Sequence, residues 1–300
     1  MTGDAPPVGL KNASKKSNGG TSQLPRPLHI LCDRTLQVGQ FNRFFKPNLL
    51  RRSGLPHVYL LHGELAQSHG NFVRRLVIDK IQPYAASRKG QLEGPVRHIK
   101  PWIQPLDDLE DAKETLRFSI FEEVAPNYDP TEMSAKQLCL HRTLTPYPFV
   151  VIQHDFDVAD WNEHFLDLIE WYLTGYWAEA LSGRLPNQIL IFLNFIYPNS
   201  TKPLWRRIYP SRRFGKGSFY AFLRSLTSAV DRIYPCLLFD ELGHLDQLDV
   251  CHTLDVLGVH DEGGCPEWVE KLFRKKRGKV SMKDLERVLK DHYSQAITSW

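Results

Sequence analysis

Cysteine is sparse in this chain and unpatterned. The five cysteines, Cys32, Cys139, Cys236, Cys251 and Cys265, are widely spaced and include no CxxC. That spacing excludes a zinc finger or ribbon and predicts free, mostly buried thiols in a reducing cytoplasm. Long apolar runs are missing too: none approaches the ~18 residues a membrane span needs. Residues 1–23 hold Gly, Ser, Lys, Asn and Pro in place of the apolar region of a secretory signal. Neither sign of charge dominates: a net charge of +4 over 300 residues does not by itself call for nucleic acid. GxSxG and HExxH are absent, which removes the best-marked serine-hydrolase and zinc-protease chemistries.

What remains can build a core. Hydrophobic residues make up 42% of the chain and aromatics 11%, so disorder cannot describe the whole of it. The length suits one large α/β domain or two small ones. Residues 1–26 are the exception. KNASKKSNGGTSQ offers nothing apolar to offset its ordering entropy and reads as a flexible polar tail.

From residue 27 onward apolar runs alternate with helical stripes. HVYLLH (57–62), VRHIKPWIQP (96–105), PFVVIQHDFD (148–157), NQILIFLNFIY (187–197) and PCLLFDEL (235–242) are candidate strands. A short strand or extended lead-in at 28–31 precedes a helix that Thr35 is expected to cap, that carries Phe41, Phe44 and Phe45, and that Pro47 ends or bends. Further helices are expected over 71–81, 106–124, 160–181, 218–230 and 281–299. The last of these carries Met282, Leu285, Val288, Leu289 and Tyr293 at helical spacing, so it is expected to pack on its own domain. Such alternation calls for a mostly parallel sheet with helices on both faces.

HVYLLHGELAQSHGNFVRRLV, residues 57–77, has the strand–turn–helix outline of a phosphate-binding loop. A working loop is GxxxxGKS/T. Its glycines let backbone N–H groups wrap the phosphates, its Lys neutralises the outer phosphates and its hydroxyl holds Mg²⁺. With Gly63 first, the second glycine position is Ser68, the lysine position His69 and the hydroxyl position Gly70. His69 is shorter than Lys and mostly neutral at pH 7, and Gly70 has no side chain to hold a metal. The outline survives without its gripping groups, so turnover of ATP is not expected. Weak binding through backbone amides at the helix start is the one nucleotide route left open.

The strand at 148–157 ends in Asp155 and Asp157, where a nucleotide-handling fold would keep a metal-holding carboxylate. His154, Asp155 and Asp157 also have the ligand types of a different metal site, with helix capping as the ordinary account. His62, His69 and His154 stand near strand ends, where α/β folds place ligands, or are plain core and loop residues. WRRIYPSRRFGKGSFY (205–220) reads as a basic surface loop. Its Trp205, Arg206, Arg207, Arg212, Arg213 and Lys216 form a mixture that stacks on bases and pairs with phosphates, or meets an acidic protein. KLFRKKRGK (271–279) is a second basic run.

In their order and spacing, HILCDRTLQVGQF, LLHGELAQSHGNFVRRL, VVIQHDF with Trp161 after it, and ILIFLNFIYP resemble inactive STAND domains. The likeness runs from about Leu28 to the final tryptophan, one domain over 27–300. It implies a degenerate relative of the STAND branch of P-loop ATPases: a three-layer α/β fold, no cofactor and no catalytic residues. It further implies a cytoplasmic component of bacterial conflict or defence systems, a signalling scaffold that binds protein partners. Relatives often carry a fused adaptor domain; only about 26 polar residues precede the domain here, so an adaptor or effector is expected in trans. The competing expectations are a nucleic-acid-binding component using 205–217, a weak or atypical NTPase, and a metal-dependent enzyme.

Overall fold

A strand covered by helices on both sides must be apolar on both faces, and β1, β3 and β4 of this chain meet that demand. The computed structural model describes residues 34–51, 54–87, 95–103, 106–126, 134–158, 164–178, 185–197, 216–256 and 265–297; of 216–218 and 292–297 it describes the backbone alone. The polar tail and the lead-in at 28–31 lie outside the described residues. Five parallel strands form one sheet in the order β2-β3-β4-β1-β5. They are β1 (His57–Glu64), β2 (Val96–Ile99), β3 (Phe149–Asp157), β4 (Gln188–Tyr197) and β5 (Cys236–Leu238). Strand β4 thus lies between β1 and β3, and the carboxylates ending β3 stand one strand away from the loop that follows β1.

Helices cover both faces. On one, α1 (Thr35–Arg51) and α2 (His69–Leu76) bring Phe41, Phe45, Leu49, Phe72, Val73 and Leu76 against Tyr59, Leu61, Val151, Leu190 and Phe192. A π-type turn (Val77–Ile81) and α3 (Gln82–Ser87) continue that layer. On the other, α4 (Leu109–Val124), α5 (Ala135–Leu140), α6 (Phe165–Trp171) and α7 (Lys216–Val230) pack on Val58, Leu60, Val150, Ile152, Ile189 and Ile191. The result is a three-layer, P-loop-like α/β fold. A third, smaller core joins α8 (Gln247–Val256), α9 (Glu267–Lys275) and α10 (Met282–Ile297) through Val250, Leu254, Val269, Leu272, Phe273, Met282, Leu285 and Leu289.

Local chemistry explains several boundaries. Asp108 accepts from the backbone N–H groups of Glu110 and Asp111 and starts α4. Ser134 and Gln137 form a reciprocal capping box at α5.

Other expectations need correction. Thr35 is the first residue of α1, not its cap; the carbonyl of Arg34 accepts from Val38 N. Pro47 does not end that helix, because Phe45 and Leu49, each 1% exposed, anchor both sides of it in the core. The strand expected at 96–105 keeps only four residues, and the one at 235–242 only three. The expectation of free thiols holds for Cys139 and Cys236, which are buried, but Cys251 and Cys265 are joined by a disulfide. Packing of α8 against α9 brings together two cysteines whose sequence spacing gave no sign of pairing. Among the described residues no helix is long and apolar enough to cross a membrane.

Candidate functional site

Strand β1 does not release the chain at Gly63. Pairing with β4 continues through Gly63–Ile196 and Glu64–Tyr197, while Leu242 bridges Gly63 from the opposite side. A Cβ at Gly63 would lie 2.9 Å from the Leu242 carbonyl oxygen and 3.0 Å from Nε2 of His69. Close approach of backbone and imidazole therefore accounts for this glycine with no phosphate involved.

The chain then makes a single 3-10 turn, Leu65–Gln67, and passes through Ser68 at φ 52°, ψ 54°. A glycine takes this left-handed conformation freely; a serine pays about 1 kcal/mol for it. A left-handed residue thus stands at the position that the phosphate-loop frame assigns to its second glycine. The Ser68 carbonyl accepts from Asn71 N and Phe72 N and so starts α2.

His69 turns inward and is 2% exposed. Burial first, and then the charge of Arg34 and the neighbouring His62, lower its pKa from 6.5 to about 3. At neutral pH an uncharged ring, packed on Gly63, stands where a lysine would reach for phosphate.

Arg34, just ahead of α1, is bonded to the loop itself. Its Nη1 donates to the Gly243 carbonyl at 2.6 Å, and its Nη2 donates to the Gln67 carbonyl at 3.3 Å and to Gln67 Oε1 at 2.9 Å. Arg34 and Gln67 are both buried. Further along α1, Gln37 donates to the Glu241 carbonyl, and Gln40 exchanges two hydrogen bonds with Asp240. The helix is thus fastened along the segment that walls the loop. The polarity here is the reverse of a phosphate cradle: oxygens of the loop face a guanidinium instead of N–H groups facing an anion.

Gly70 faces a different environment. A Cβ there would meet Gln153 Nε2 at 3.2 Å, and Asp155 Oδ2 and Lys100 Nζ at 3.7 Å. Gln153 Nε2 donates to both oxygens of Asp155, at 2.9 and 3.1 Å. Asn194 Nδ2 donates to Asp155 Oδ1 at 2.5 Å. His98 Nε2 and Gln153 Oε1 lie 3.1 Å apart. Burial first, then Lys100, lowers the His98 pKa to about 4. The strand-end carboxylate is thus held by two amides. Asp155 is exposed and Asp157 half-buried.

The loop and the acidic strand end therefore meet through Gly70 and Asp155. The alternative metal set does not. Successive strand residues point to opposite faces, so His154 enters the α6 side of the sheet. There its Nε2 lies 2.8 Å from the Tyr172 hydroxyl, and burial holds its pKa near 3. The same pleat separates His154 from His69; only His62 and His69 are neighbours. Among the described residues no group of three or more His, Cys, Asp or Glu is placed to hold a metal ion. Trp205, Arg206, Arg207, Arg212 and Arg213 lie outside the described residues, as does the side chain of Lys216.

Sequence reasoning passed over Arg34, Gln67, His98, Lys100 and Asn194. A usable signal existed for Asn194: it interrupts ILIFLNFIY one strand away from the matching interruption at Gln153–Asp155. Arg34 gave none, because its partners lie 33 and 209 residues away.

A family model described as inactive STAND matches residues 29–195. The chain belongs to the inactive STAND family. No curated protein matches it significantly. Among solved structures, it is similar to a Walker-type ATPase of Pyrococcus abyssi, at 12% identity and a TM-score of 0.36, covering 86% of this chain and 62% of that one. It is also similar to the Aeropyrum pernix ORC2 protein in its ADPNP–ADP complexes, at 12% identity and a TM-score of 0.45, covering 90% of this chain and 68% of that one. This inactive STAND chain thus spans less than two thirds of the Pyrococcus protein.

Proposed function

We propose that this inactive STAND domain is a non-catalytic signalling or scaffold component of a bacterial conflict or defence system. It works in the cytoplasm and binds protein partners in trans rather than hydrolysing nucleotide. The observation that carries the non-catalytic part is the filled loop. His69 packs on Gly63, the Gln67 oxygens are engaged by the Arg34 guanidinium, and the lysine and hydroxyl positions hold His69 and Gly70. Charge stabilisation at the outer phosphate is the main catalytic device of phosphoryl transfer, and no group here supplies it from the loop. Family membership supports the scaffold part.

The test combines two measurements on the intact chain. Phosphate release from Mg·ATP is expected to stay at the buffer rate. A protein partner encoded beside this chain is expected to co-purify with it equally well with and without ATP. Turnover abolished by Gly70→Val, or a partner released by nucleotide, would overturn the proposal.

A further inference from the structure

We propose that the turn between α9 and α10, together with the outer face of α10, binds the phosphate backbone of duplex nucleic acid. This goes beyond the scaffold reading and does not rest on it. Residues 271–290 hold nine cations, Lys271, Arg274, Lys275, Lys276, Arg277, Lys279, Lys283, Arg287 and Lys290, against two carboxylates, Asp284 and Glu286. That is an excess of seven positive charges. The chain as a whole has an excess of only four, so the other 280 residues carry an excess of three negative charges. The mild total conceals a basic concentration centred on the turn, since the outer parts of α9 and α10 add the carboxylates Glu267, Glu270 and Asp291.

The fold gathers these charges. Leu272 and Phe273 of α9, and Met282, Leu285 and Leu289 of α10, are buried in the third core. Their burial turns the intervening cations outward: all nine except Lys276 are exposed. The helices are joined by a tight turn in which Arg277 and Gly278 adopt φ 50° and 77°, and Gly278 N donates to the Phe273 carbonyl. On α10, Lys283, Arg287 and Lys290 recur at helical spacing, a stripe about 10 Å long at 1.5 Å per residue.

Internal pairing uses few of these charges. Lys271 pairs with Glu267, and Lys276 and Arg287 with Asp284. The second carboxylate, Glu286, accepts from Asn71. Arg274, Lys275, Arg277, Lys279, Lys283 and Lys290 make no ion pair among the described residues. Arg274 acts electrostatically on Glu267; the other five, all exposed and within sixteen residues of one another, suit a partner of high linear charge density, and duplex DNA carries one negative charge per ~1.7 Å.

The described side chains of this surface offer little to other partners. Among the described side chains, none of the large exposed hydrophobic residues, such as Trp102 or Leu248, belongs to α9, the turn or α10 as far as Asp291. A bilayer needs an apolar wedge from a surface helix, and a protein interface needs a buried aromatic or aliphatic anchor.

The test is fluorescence anisotropy of a labelled 24-base-pair DNA duplex titrated with the intact protein at 50, 100 and 200 mM NaCl. Binding is expected at 50 mM, weakening steeply with salt. Lys275→Glu/Arg277→Glu/Lys279→Glu should weaken it roughly tenfold or more and flatten the salt slope by about 3. Arg43→Glu/Lys46→Glu/Arg51→Glu on α1 makes the same charge change elsewhere and should leave affinity within roughly threefold. Should the turn variant fail to fold, Lys283→Gln/Lys290→Gln replaces it, with an expected slope change of about 2. No binding at 50 mM, equal losses from both triple variants, or binding to vesicles of 30 mol% phosphatidylserine without binding to the duplex would each overturn the proposal.

Discussion

The two glycines that bracket the loop, Gly63 and Gly70, live under opposite physical regimes. At Gly63 the space a side chain would take is filled: the Leu242 backbone and the imidazole of His69 stand there. At Gly70 the neighbours are the ends of polar side chains, Gln153, Asp155 and Lys100, which can give way. The first glycine is held by packing that has nothing to do with phosphate. The second residue stands at the position where a hydroxyl would serve a metal, and hydrogen bonds from Gln153 and Asn194 engage the carboxylate beside it. The loop is packed against the protein's own groups at one end and joined to a protein-only hydrogen-bond network at the other.

The largest expected effect tests the packed end. Arg34→Ala removes a buried guanidinium and leaves the Gln67 and Gly243 carbonyls and the Gln67 amide oxygen short of a donor. Urea unfolding should show a loss of about 3 kcal/mol. If the loss is under about 0.5 kcal/mol, Arg34 does not hold the loop.

Gly63→Ala comes next. Its methyl group meets a backbone oxygen that cannot rotate away, so a loss of about 2 kcal/mol is expected. Gly70→Ala presses only on the movable end of Gln153 and should cost less than about 1 kcal/mol by the same measurement. Equal costs at the two glycines would erase the comparison.

Acid should act on the packed end as well. His69 has a folded pKa near 3 and an unfolded value near 6.5, so its contribution is fully present above pH 6.5 and declines as pH falls toward 3. His154, with the same folded value, acts in the same direction on the far face of the sheet. Each steepens the fall of stability by up to about 1.4 kcal/mol per pH unit. Urea midpoints between pH 7 and 5 should therefore fall, and His69→Gln should make the decline shallower by about one proton. An unchanged slope would mean that the ring is not buried neutral.

The smallest effect concerns Ser68. Ser68→Gly relieves a left-handed serine and should change stability by less than about 1 kcal/mol, in the stabilising direction. A destabilisation beyond 1 kcal/mol would show that the serine makes interactions the backbone geometry does not account for.

The sheet was legible in the sequence because buried parallel strands read as continuous apolar runs bounded by Gly, Pro or Asn. HVYLLH and NQILIFLNFIY both fell in place. The strand–turn–helix over 57–77 was legible because an apolar run leads through Gly63 into a helical stripe. What fills the loop was not legible, because Arg34 and Gly243 meet only once the chain is folded. The helix at Glu267–Lys275 was hidden for a related reason: its cations dominate the reading, while the apolar stripe of Val269, Leu272 and Phe273 is short. The Cys251–Cys265 pair was likewise a product of helix packing, with no motif to announce it.

The claim that the loop is filled by the protein's own side chains is tested most directly by calorimetric titration of the intact chain with a non-hydrolysable ATP analogue, with and without Mg²⁺. The account predicts no saturable heat up to about 1 mM analogue, a bound corresponding to roughly 4 kcal/mol of binding free energy. Saturable micromolar binding that requires Mg²⁺, and that is lost in Gly70→Val, would contradict it.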